Sequence, residues 1–128
     1  MIARVWHGST RPEHADAYEA MLKPELLPGI GKAKGYLGSY LLRRDVGNEV
    51  EFITIIHWES IDAIRAVAGD DYEKSIIPEE RRKYLSRHDP KAAHYEIVSV
   101  HGSPVGESLD FEISELRGHT ITPPSFEE

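Results

Sequence analysis

The stretch DVGNEVEFITIIHWES, residues 45–60, decides the fold. It opens on Asp45, Gly47 and Asn48, residue types that tolerate positive φ and close tight hairpins. Nine residues rich in β-branched and aromatic side chains follow, Val50 to Trp58. They are apolar on both faces, as expected of a central strand covered on both sides. The run closes on His57, Trp58 and Glu59. Ser60 then suits the N-cap of a short helix with Ile61, Ile64 and Ala68 inward and Gly69 as its stop.

Working outward, YLGSYLLRR (36–44) reads as the strand before the turn, so the two form a hairpin. IARVWHG (2–8) alternates as a first strand, with Ala3, Val5 and His7 on one face and Ile2, Arg4 and Trp6 on the other. Between them, STRPEHADAYEAML carries a capping box of Thr10 with Glu13, a first-turn Pro12, and an apolar stripe of Ala15, Tyr18, Met21 and Leu22. Pro24 and PGIGKAKG end that helix. Downstream, DDYEKSII is expected as a loop, PEERRKYLSRH (78–88) as a helix with acids first and bases last, and AAHYEIVSV (92–100) as a fourth strand.

The order β-α-β-β-α-(α)-β predicts a ferredoxin-like α+β fold: an antiparallel sheet ordered 4-1-3-2 with helices on one face. The expectation is that His7 and Trp58 turn toward the helices. Ile2, Trp6, Ile53 and Ile55 would then fall on the opposite, uncovered face. An apolar face of that size predicts a homodimer joined through the open sheet.

At 128 residues, the chain divides by composition into a nearly neutral body, residues 1–100, and an acidic C-terminal arm, 101–128. The arm holds six acidic side chains against Arg117, out of a net charge of −7. Within it SLDFEISEL (108–116) alternates like an accessory strand. An acidic balance argues against a nucleic-acid partner. No apolar run reaches the ~18 residues of a membrane span. The absence of cysteine excludes disulfides and thiolate sites, and with no signal-like N-terminus the expected compartment is cytoplasmic. Neither a Gly-rich phosphate loop nor a G-x-S-x-G elbow is present, and the seven histidines show no H-x-H or H-E-x-x-H spacing. No metal site and no cofactor are expected.

GYLGSYLLRRDVGNEVEFITIIHWES with IARVWHG resembles the dimeric α+β barrel superfamily, specifically the antibiotic biosynthesis monooxygenase-type domain. The aliphatic run ending in Trp-Glu-Ser before a helix is the most specific part. The resemblance implies a homodimer and a cavity between sheet and helices. Cofactor-free quinol oxygenases and haem-degrading members place an Asn near the end of strand one and a Trp at the end of strand three, both facing that cavity. Trp58 matches the Trp, and His7 stands where the Asn is expected. Haem-degrading members also ligate iron with a helix His after strand three, whereas no histidine lies between Trp58 and Arg87.

The function expected is a small cofactor-independent monooxygenase acting on an aromatic, quinol or polyketide-like substrate. His7 would be base or donor, since an imidazole titrates near neutrality. Trp58 would be a cavity wall with an N–H able to reach an oxygen. Tyr72, over the cavity mouth, and Arg82, as an anion clamp, complete the candidate substrate contacts. The alternatives are an isomerase, cyclase or lyase of the same fold using a His base, and a non-catalytic binding or stress-response module.

Overall fold

The computed structural model describes residues 1–24, 32–75 and 77–102. β1 is Ile2–Thr10, followed by one 3₁₀ turn, Pro12–His14, and helix α1, Ala15–Pro24. β2 (Tyr36–Asp45) and β3 (Val50–Trp58) form the expected hairpin. Its turn is closed by the Val46 N–H donating to the Glu49 carbonyl at 3.0 Å, with Gly47 at φ +98°. Helix α2 is Ile61–Ala68, α3 is Glu79–Arg82, and two short strands end the described chain: β4, Leu85–His88, and β5, Ala93–Glu96.

The sheet is antiparallel and ordered β2-β3-β1-β4, with β5 also paired to β1. The ferredoxin-like order is therefore observed, with one refinement: the fourth position is filled by two strands in series. β4 lies against Gly8–Thr10 and β5 against Ile2–Val5. The helix expected over 78–88 shrinks to four residues because Leu85–His88 joins the sheet edge instead. There, ladder hydrogen bonds and burial of Leu85 beside the α1 core outweigh the favourable charge order of a helix. The expected capping box is also absent. Thr10 is the last residue of β1, buried, and its hydroxyl donates to the Arg11 carbonyl at 2.9 Å rather than accepting from the helix.

Two apolar clusters join helices to sheet. Ala15, Tyr18 and Leu22 of α1 pack on Val50 and Phe52, with Tyr18 and Phe52 edge to face at 5.0 Å. Ile64 of α2 packs on Ile56 and Trp58, with Ile2, Tyr36, Ile61, Ala68 and Tyr72 around them. Ser60 caps α2 by accepting the Ala63 N–H at 3.2 Å, and Gly69 stops it at φ +87°. These even-numbered β3 positions thus define the helix face of the sheet. The accessory strand expected at 108–116 lies outside the described residues.

Candidate functional site on the helix face

Residues directly opposite one another on paired strands share a face. Ile2 is opposite Trp58, Arg4 opposite Ile56 and Trp6 opposite Thr54, so Ile2, Arg4 and Trp6 lie with Trp58 under the helices. His7 is opposite Ile53 and Ala3 opposite His57. This corrects the expected side of β1: His7 is on the face away from Trp58, while Ile2 and Trp6 point to the helices. The two candidate catalytic residues do not share a hollow. The hairpin fixes β3 against β2, but no local signal fixes which parity of β1 meets the helices. His7 is exposed, with its Nδ1 2.9 Å from Asp89 Oδ2, and its backbone N–H donates to the same carboxylate oxygen at 3.0 Å.

Trp58 is where the sequence places it. It is 1% exposed, edge to face with Tyr36 at 6.0 Å, and its indole N–H has no hydrogen-bond partner among the described residues. Tyr72 also belongs to this group. It is half-buried against the Trp58 cluster, lies edge to face with His94 at 5.1 Å, and carries the Arg65 guanidinium 5.4 Å above its ring. Arg82 does not belong; it is exposed on α3.

Two residues are added by the structure. Arg4 sits mid-strand on β1, directly opposite His94 of β5. One terminal guanidinium nitrogen donates to the Tyr72 carbonyl at 3.2 Å, and its Nε is buried without a partner. Burial holds the guanidinium below its ordinary pKa. His94 Nε2 is likewise buried and unpartnered. Burial, then the nearby Arg4 charge, pushes the imidazole below the ordinary histidine value, partly opposed by Glu73. His94 is therefore neutral at neutral pH. The sequence held one sign of this, that Arg4 is the one Lys, Arg, Asp or Glu among residues 2–10, but nothing local pairs it with His94.

The far end of this face is closed by Trp6. Its indole N–H donates to Ser75 Oγ at 2.6 Å and to the Asp89 carbonyl at 2.9 Å, and its ring stacks on His88 at 5.9 Å. The hydroxyl of Ser75 donates to the same carbonyl at 2.8 Å, tying the loop after α2 to the β4–β5 connection. The histidines do not converge: His7, opposite Ile53, and His57, opposite Ala3, are on the open face four rungs apart, and His94 is on the helix face.

Residues 1–76 match the model of the antibiotic biosynthesis monooxygenase domain, more than half of the chain, and the chain belongs to that family. A Bacillus cereus protein assigned to the antibiotic biosynthesis monooxygenases superposes with a TM-score of 0.61 at 16% identity, over 81% of this chain and 97% of that one. The haem degrader MhuD of Mycobacterium tuberculosis, crystallised with two haems in its active site, gives 0.53 at 20% identity, over 80% and 100% of the two chains. A Nitrosomonas europaea protein of the same assignment gives 0.59 at 10% identity, over 77% and 100%. At such identities the likeness is one of fold. No functionally curated protein matches the sequence.

Proposed function

We infer that the protein is a cofactor-independent monooxygenase that oxidises an electron-rich aromatic or polyketide-like molecule, such as a quinol, held between α2 and the sheet. The observation that carries this reading is the Trp58 indole N–H. It is a buried donor with no partner, inside an aromatic wall, in a chain of this family. Buried donors are rarely left unmade, because the desolvation cost of about 1–3 kcal/mol then goes uncompensated. A substrate oxygen would satisfy it. No protein redox group is needed when the substrate supplies the electrons: a quinol and dioxygen give a hydroxyquinone and water, atom for atom. The protein's part is then to bind the ring, stabilise its anion and exclude water.

MhuD binds haem, but the side chains that α2 turns toward Trp58 are Ile61, Ile64 and Ala68, none of which ligates iron. No step here is routed through haem. The open face of the sheet, carrying Val5, Tyr40, Ile53, Ile55 and His57, is read as the surface that joins two copies into a homodimer.

Oxygen consumption with a panel of hydroquinones tests the oxygenase reading. The native protein should consume one dioxygen per substrate. Trp58→Phe, which keeps the wall but loses the donor, should lower kcat/KM about tenfold, the scale of one hydrogen bond to a developing anion. Turnover of substrate without oxygen uptake would instead establish an isomerase, cyclase or lyase.

A further inference from the structure

Three buried side-chain nitrogens without a hydrogen-bond partner lie on one face of three adjacent strands: Trp58 Nε1 on β3, Arg4 Nε on β1 and His94 Nε2 on β5. Arg4 and His94 are direct cross-strand partners, and Arg4 is diagonal to Trp58, a spacing of roughly 7 Å between backbones. Among the described residues no carboxylate pairs with Arg4; its side chain's one hydrogen bond there is to the Tyr72 carbonyl. A half-buried guanidinium without a counter-anion is costly, and the cost falls when an anion arrives.

We propose that Arg4 and His94 form the site that ionises the substrate, a phenol or enol, with His94 as the general base and Arg4 as the cation that holds the oxyanion. The proposal rests on the reading of the chain as an enzyme for aromatic substrates and names the acid group that substrate must carry. In the step, the phenolic O–H bond breaks and an N–H bond forms at the imidazole; the electron pair stays on oxygen, beside the guanidinium. No redox change occurs. Trp58, one rung away, donates to a second oxygen on the ring. This assigns to His94 the role that position 7, on the other face, cannot fill.

The surroundings suit a base. His94 faces Arg4 from β1, Tyr72 and Glu73 from the loop after α2, and Arg65 lies beyond the Tyr72 ring. A neutral imidazole accepts a proton, and once it has, the new phenolate offsets one of the two positive charges beside it. Tyr72, whose ring lies nearly perpendicular to the imidazole, must swing aside to admit a ligand.

The full-length protein and 4-nitrophenol, whose phenolate is yellow, provide the test. The bound probe should ionise at a pH about one unit or more below that of the free probe. Arg4→Met should abolish the shift and Arg4→Lys retain part of it. Calorimetry in two buffers of different ionisation enthalpy should show no net proton release on binding to the native protein, and about one proton per probe for His94→Gln, which lacks the acceptor. Failure of the probe to bind saturably, an unshifted titration, or a shift that survives Arg4→Met would overturn the proposal. A shifted probe without oxygen uptake from any quinol would leave this site standing and remove the oxygenase reading. Oxygen uptake with an unshifted probe would do the reverse.

Discussion

Gly35 stands at φ +87°, and a Cβ added there would lie 2.6 Å from the Cβ of Ala63 on α2. Its carbonyl also accepts the Glu59 N–H at 2.9 Å, so backbone passes against backbone where β3 turns into the helix. Gly35→Ala should lower stability by about 1–3 kcal/mol in denaturant unfolding, through both clash and φ. His94 gives a pH dependence whose sign follows from its depressed pKa. The folded state binds the proton less readily than the unfolded chain, so stability is intact above the ordinary histidine value and falls as pH drops below about 6.5. His94→Gln should flatten that slope by up to one proton. His7→Ala should leave turnover within about twofold of the native protein, since its imidazole meets Asp89 and not the helix face. At this scale the sequence was partly legible. Trp58 and Tyr72 could be read because a large aromatic at a strand end and one just past a helix stop both have local signatures. Arg4 and His94 could not, because their meeting depends on a register set by non-local pairing.

Among the elements, the hairpin, β3 and α2 were readable almost to the residue, because turn formers, alternation and the Ser60 and Gly69 caps all agree. Ser60→Ala should cost about 1 kcal/mol, read as a drop in unfolding midpoint, with the helix otherwise retained. The segment 78–88 misleads because its charges obey helix rules while its residues 85–88 serve an edge strand. A short polar strand carries too few apolar positions for a period to show. The charged contacts of α1 with β2 are similarly invisible in advance: Arg43 reaches Asp16 at 2.8 Å and Glu19 at 2.9 Å, and its guanidinium lies 5.6 Å from the centre of the Phe52 ring.

For the molecule as a whole, the order of elements sufficed to anticipate the architecture, and the family match agrees with it. Among the described residues one face is left uncovered by that order, since both α1 and α2 pack on the other side of the sheet. Ile53 and Ile55 lie on it, as alternation from Trp58 requires, with Tyr40 edge to face on His57 at 5.7 Å. If two copies meet there, Ile55→Lys should convert the protein to a monomer in sedimentation velocity, because a buried unpaired charge opposes association by several kcal/mol. Leu42→Ser, at a more exposed position of the same face, should weaken the dimer less.

The edge opposite the hairpin is stitched from two four-residue pieces, and at the junction His7 and Asp89 complete the ladder through a side chain and one backbone bond. Such a seam lets one piece breathe without the other. Ala93–Glu96 can detach from β1 while Tyr18, Phe52 and Val50 stay packed, so amide exchange there should outpace exchange along β3. The proton-accepting imidazole thus rides on a four-residue strand that pairs with the sheet through β1. Entry to the buried pair would then require a local excursion rather than global unfolding.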